Sequence, residues 1–293
     1  MKNKLSLFAV PYVGWMSIFV VAPIIIMVVY AFSTAAGDFT LENFARMGTY
    51  TAVFTRSFKL AIIATLIALL IGYPVSYMLS KEGPQVQRIA MVLIMLPMWM
   101  NFLLRTYSWM SILENNGLLN QLFQQIGLID LYNQVAMHFA ADPAAYVPID
   151  HFQMIGTQGA VVLGMVYNYL PFMILPIYSV LVKLDHSLIE AARDLGASSV
   201  QVFCKVILPL SLPGVLSGIT MVFVPSVSTF AISRLLGGGT QMMLGDLIEQ
   251  QFLGGAYNPH LGSAIALVMM IIVVVCMYVM NRFGEGEEEA MLL

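Results

Sequence analysis

The chain has 293 residues, 59% of them apolar and only 10% charged, with a mean hydropathy of +0.84. A soluble domain carries about a quarter of its residues as charges, so this composition excludes an ordinary soluble protein. The net charge of −3, with no basic patch, points away from nucleic acid, and Cys204 and Cys276 show neither metal-ligand spacing nor a disulfide framework.

The charges are bunched. None falls between Lys4 and Asp38, Lys59 and Lys81, Asp150 and Lys183, Lys205 and Arg234, or Glu249 and Arg282. Each gap holds the roughly 20 residues that cross a bilayer as a helix. A sixth apolar run, Ile89 to Leu113, is broken only by Arg105. The sequence therefore predicts an all-α polytopic membrane protein with spans near 8–32, 58–80, 89–112, 158–181, 209–232 and 261–281. Lys2 and Lys4 precede an apolar run from Leu5 to Phe32. That run is longer than the signal-peptide core of about 7–15 residues, so an uncleaved first span is expected.

Basic residues set the orientation. With a cytoplasmic N-terminus, Lys2, Lys4, Lys81, Arg88, Lys183, Arg193, Lys205 and Arg282 lie inside, eight against the five of Arg46, Arg56, Lys59, Arg105 and Arg234. The positive-inside rule then places both termini in the cytoplasm of a bacterial-type cell membrane. Residues 1–54 read as a leading span and first outer loop, 55–281 as the transmembrane core, and 282–293, containing "GEGEEE", as an acidic cytoplasmic tail. The second outer loop, 113–157, is long and polar, with Asp130, His138, Asp142, Asp150 and His151, and is expected to be irregular or to hold short helices.

One compact charged block, 185–209, separates the fourth and fifth spans. Ser187 and Glu190 have the spacing of a capping box. Leu188, Ala191, Ala192 and Leu195 form a narrow apolar stripe that Arg193 and Asp194 avoid. Gly196 is placed for a left-handed C-terminal cap. A second short helix is expected over 199–207, with Val200, Phe203 and Ile207 on one side and Pro209 stopping it. By chemistry alone the block is either a surface helix on lipid headgroups or a docking element.

The order Glu190-Ala191-Ala192, three residues, Gly196, nine residues, Val206-x-Leu208-Pro209 resembles the EAA motif of permease subunits of type I ABC importers. The resemblance implies the six-helix MetI-like fold of that class. It also implies that the block forms coupling helices seated in a cleft of a separate ATPase subunit, with Glu190, Ala191, Ala192, Asp194 and Gly196 as docking residues. ATP and Mg would then reside on that ATPase, with no cofactor here. No G-x-x-x-x-G-K-[ST] loop occurs in the sequence. A second permease subunit and an extracytoplasmic binding protein complete the implied set of partners. The stretches "MNFLLRTYSW" (100–109), "YNYLPFMILPIYSVLVKLDHSLIEAARDLGAS" (167–198) and "GGTQMMLGDLIEQQFL" (238–253) resemble the spermidine/putrescine permeases, which implies a polyamine substrate. The 131–156 stretch is longer than that family's loop, and permeases for ferric iron or sulfate share much of the motif.

Polar residues within spans mark candidate functional positions. Arg105, near the outer end of the third span, should face protein or water or snorkel to the headgroups, and on a cation path it is expected to be held by a protein partner. Candidate pathway contacts are Asn101 on the same helical face, Tyr107, Tyr167, Asn168, Ser226 and Thr229; Tyr167, Asn168 and neighbouring Tyr169 serve equally as interhelical hydrogen bonders. Pro225 interrupts the backbone ladder just before Ser226. Asp246 and Glu249, at i and i+3, either draw cations to the outer mouth or are solvated loop charges. A proton- or sodium-driven transporter would place Asp, Glu or His within its spans. An intramembrane enzyme would show H-E-x-x-H or G-x-S-x-G. Neither pattern is present, and His138, His151, His186 and His260 all fall in loops.

Overall fold

The computed structural model describes residues 11–139 and 146–291, with the side chains of 281 and 283–291 outside that set. Lys2, Lys4, Asp142 and the glutamates of the tail therefore lie outside the described residues or side chains. Every extended element among the described residues is helical, apart from one isolated bridge between Ser33 and Phe39.

Helix α1 spans Pro11–Ala31 and bulges into a π-turn over Ser17–Val21, just before Pro23, whose ring cannot fit an ordinary turn. Short α2 (Glu42–Arg46) leads into α3 (Thr51–Ser80). The third apolar run is not one straight span. It is two helices, α4 (Pro84–Trp99) and α5 (Phe102–Leu113), which with the following α6 (Leu118–Gln125) bend by 91° at Met100 and Asn101. Among the described residues five helices are thus long and apolar enough to cross a membrane, and a sixth crossing requires the bent pair.

The outer loop folds as α6 and α7 (Leu128–Phe139), held against an extended return segment by asparagines. Asn120 donates to the carbonyls of Glu114 and Phe152 and accepts from Phe152 N–H. Asn133 does the same with Ile149, pairing through its amide as a strand would. Helix α8 (Gln158–Leu181) follows, then α9 (His186–Asp194) and α10 (Ser199–Val202). After α11 (Leu208–Ser228) the chain breaks at Thr229 and Phe230 into α12 (Ala231–Leu236), α13 (Leu244–Leu253) and α14 (Pro259–Met291). The backbone of α14 stays helical through the stretch read as a tail.

The core is the trio α3, α8 and α11. Met173, Ile177, Val215 and Val222 are buried there beside Ala68. A Cβ on Gly218 would sit 2.8 Å from Met173 Sδ, so glycine sets how closely α8 and α11 approach. In a bilayer, helix association draws little on water exclusion and more on such close contact and on interhelical hydrogen bonds, worth about 0.6 kcal/mol each on average. Tyr73 and Ser211 share one at 2.8 Å, and Ser76 donates to Ile174 carbonyl at 3.1 Å. Helix α1 stays outside this trio. It packs against α14, where Tyr30 stacks on His260.

Candidate coupling block and pathway residues

The coupling block begins differently from the capping box expected at Ser187. Asp185 is the N-cap, its carboxylate accepting from Ser187 N–H at 2.9 Å. That bond and the Ser187 hydroxyl hold the Asp185 carboxyl below the usual range. Asp185 reaches the free N–H groups two residues earlier than Ser187 can, so Ser187 falls inside the helix. The capping box belongs instead to the second helix, where Ser198 and Gln201 bond reciprocally.

Gly196 ends α9 with φ +82°. Its N–H bonds Arg193 carbonyl at 2.8 Å while Ala197 N–H reaches back to Ala192 at 3.1 Å. That is a Schellman cap, which satisfies two orphan carbonyls and requires a residue free of Cβ strain at positive φ.

The inner face of the block differs from the expected stripe. Ile189, Ala192, Ala197, Val202, Phe203 and Ile207 join the core cluster, with Phe203 edge-on to Tyr73 and Tyr77. Leu188 is left exposed, and Leu195 and Val200 are 89% and 71% exposed. Of the docking candidates, Glu190, Ala191, Asp194 and Gly196 lie on this open side, and Ala192 is half-buried beneath them. The apolar positions split between two surfaces, one against the membrane core and one toward the cytoplasm.

Pro209 does not stop the second helix. A π-turn over Phe203–Ile207 widens the ladder so that Leu208 N–H bonds Phe203 carbonyl, and the proline ring meets no i−4 clash. Residues Ser199–Ser228 are therefore one continuous 30-residue helix.

Among the pathway candidates, Asn101 and Tyr107 are exposed on α5. Asn101 caps α5, its Oδ1 accepting from Leu103 N–H at 2.8 Å and Leu104 N–H at 3.3 Å. Asn168, Ser226 and Thr229 are buried in the core. Asn168 and Ser226 bond carbonyls of their own helices, at Gly164 and Val222. Tyr167 packs edge-on to Trp109.

Arg105 is 7% exposed, so it neither snorkels nor shares the open face of Asn101. Its Nε and Nη1 have no hydrogen-bond partner among the described residues, contrary to the expected protein partner. Just before the α11–α12 break the Tyr169 hydroxyl donates to the Pro225 carbonyl at 3.5 Å. Pro225 itself sits inside α11; the break comes at Thr229, whose ψ is 141°. Gly245 makes this corner compact, since a Cβ there would meet the backbone of Ser228 and Thr229.

Asp246 and Glu249 are not solvated loop charges. Asp246 is buried and caps α13 by accepting from Met243 N–H at 2.9 Å. Burial raises its carboxyl above the usual range, against the opposing pull of Ser233 and that backbone bond. Glu249 is bonded through both oxygens to Arg234, at 3.0 and 2.9 Å. Sequence reasoning missed the hydrogen bond from Tyr169 to the Pro225 carbonyl and the helix break before Asn101.

The molecule is thus an apolar helical trio with a capped, half-open helix pair at one end. The family described as binding-protein-dependent transport system inner membrane component matches residues 68–285, and the chain belongs to it. It is a multi-pass inner-membrane protein. The chain is 34% identical to the spermidine/putrescine transport system permease protein PotB of Haemophilus influenzae, over 97% of this chain and 96% of the relative. It is 35% identical to PotB of Escherichia coli K12, over 90% and 91%. By structure it is similar to a bacterial ABC transporter involved in import of the acidic polysaccharide alginate, with a TM-score of 0.76, 16% identity and coverage of 97% and 96%. It is also similar to the MetNI methionine ABC transporter in inward-facing conformations, with a TM-score of 0.58, 18% identity and coverage of 83% and 98%. These solved structures share its all-helical permease fold.

Proposed function

We propose that this chain is the membrane-spanning permease subunit of an ATP-binding-cassette importer for spermidine or putrescine. The observation that carries the reading is the near end-to-end identity with PotB permeases. Both termini face the cytoplasm, and the chain has no ATPase site of its own. ATP and Mg are bound and turned over on a separate ATPase subunit. Glu190, Ala191, Asp194, Gly196 and the half-buried Ala192 form the surface that seats there, aided by exposed Leu188, Leu195 and Val200. A second permease subunit completes the pore, and an extracytoplasmic binding protein delivers the polyamine to the outer face.

A polycation needs weak polar and aromatic contacts to pass, since a deep carboxylate site would hold it. Asn101 and Tyr107 offer such contacts from the bent third span, and Tyr167 from α8 beside Trp109. Asn168, Ser226 and Thr229 join them when the α11–α12 corner opens. Asp246 and Glu249, one buried and one paired with Arg234, shape the outer rim rather than present free charge. Radiolabelled putrescine and spermidine uptake, in cells lacking their own polyamine transporters and supplied with the full complex, tests the reading. Saturable uptake that requires this subunit is expected. Polyamine uptake without it, together with restored sulfate transport, overturns it.

A further inference from the structure

Beneath the coupling block, where it meets the membrane core, lies a half-enclosed cavity of about 210 Å³. Its lining holds Lys81 at the end of α3 and His186 and Arg193 on α9, no carboxylate, and hydroxyls from Tyr77, Ser80 and Ser199. The acidic residues nearby in sequence, Glu82, Asp185, Glu190 and Asp194, do not line it. Neither Lys81, His186 nor Arg193 forms an ion pair among the described residues. Lys81 is fixed over the Tyr77 ring at 3.7 Å, so its ammonium is oriented in advance.

The cations are not consumed as helix caps. At the end of α3 the Tyr77 carbonyl accepts from the Ser80 hydroxyl, and those of Met78 and Leu79 accept from Lys81 and Glu82 N–H. The Ser80 carbonyl accepts from Gln87. At the end of α8, Tyr178, Val180 and Leu181 carbonyls accept from Val182, Lys183 and Leu184. The floor is apolar, formed by Val202 and Ile207.

We infer that this cavity binds a phosphate group, from a free anion or from an acidic lipid headgroup, and thereby braces the coupling block on the membrane core. Charge-assisted bonds from Lys81 and Arg193, with the Ser199 hydroxyl, match the acceptor oxygens of such a group; the Ser80 proton is already given to the Tyr77 carbonyl. The lining spans α3, α9 and α10, so an occupant ties together elements that otherwise meet mainly through apolar contacts.

The test uses the complete complex purified with its partner subunits, in lipid-free detergent and in nanodiscs of phosphatidylcholine with or without phosphatidylglycerol. Thermal unfolding is followed against inorganic phosphate in detergent, and lipid retention by native mass spectrometry in the nanodiscs. Stabilisation by phosphate in detergent identifies a free anion; selective retention of phosphatidylglycerol identifies the headgroup. Lys81→Gln with Arg193→Gln should raise the apparent dissociation constant at least tenfold, while Lys81→Arg with Arg193→Lys should leave it within threefold. No response to either probe, or equal binding by the glutamine pair, overturns the inference. If the glutamine pair does not assemble, weaker binding in Arg193→Gln with Ser199→Ala supports it, and unchanged binding there overturns it.

Discussion

Gly196 shows how one residue joins local geometry to assembly. Its positive φ lets two cap bonds form, and its bare Cα faces open space. Gly196→Val should lose the cap and obstruct the approach of a partner chain, since a β-branched residue resists that conformation. Copurification of the ATPase is expected to fall at least tenfold, with membrane insertion unchanged. Glu190→Ala should weaken the same copurification more mildly, because the cap it was expected to provide comes from Asp185. Unaltered copurification in both variants would reduce the block to a surface helix. Asp246 makes a residue-scale prediction of another kind. Its folded carboxyl titrates above the ordinary value. The folded state therefore holds a proton that the unfolded state has lost, and stability falls as pH rises from the ordinary carboxylate range through the raised value. Asp246→Asn should flatten that dependence while keeping an acceptor for Met243 N–H. Asp246→Ala should cost about 0.5–2 kcal/mol through the lost cap. Thermal unfolding of the complex at several pH values measures both.

At the scale of elements, the long charge gaps were legible because desolvating a charge at the bilayer centre costs about 2.5–3.5 kcal/mol, which keeps ionisable residues out of spans. The 91° bend was not. Methionine and asparagine at 100 and 101 are unremarkable singly, and the break shows only when the Asn101 carboxamide is seen to cap α5. The coupling motif was legible as a pattern of residue types, but its inward face was misassigned. Heptad-like spacing selects a stripe without saying which side a neighbouring helix covers, and Tyr73 and Tyr77 draw Phe203 inward while Val200 turns out. Pro209 misled because proline stops an α-helix but not a ladder that has widened to i+5. Pro209→Ala should let that turn relax toward α geometry and rotate residues 199–207 relative to the core. Uptake should fall severalfold while the protein still folds, and hydrogen exchange across 203–208 should slow. Faster exchange there would contradict this account.

At the scale of the whole molecule, orientation is open to a direct check. In a Cys204→Ser background, Asp130→Cys should react with an impermeant thiol reagent added outside, and Gln201→Cys should react only after the membrane is permeabilised. Labelling of position 201 from outside would invert the topology. The arrangement of charges was legible in the sequence; the bond from Tyr169 on α8 to the Pro225 carbonyl on α11 was not, because it joins helices far apart in the chain.

The unbroken helix from Ser199 to Ser228 has a mechanical consequence. At 1.5 Å per residue it is a rod about 45 Å long. One end is clasped by the coupling block, the middle is pinned between α3 and α8, and the far end abuts the Thr229 corner. A rod pinned near its middle acts as a lever. A tilt of about 10° imposed at the cytoplasmic end would swing the two tips by about 8 Å relative to each other. Movement imposed at one end would thus reach the other without passing through the soft side-chain packing between, and the π-turn at 203–207 and the interior prolines Pro213 and Pro225 are the joints where that stroke could be lost.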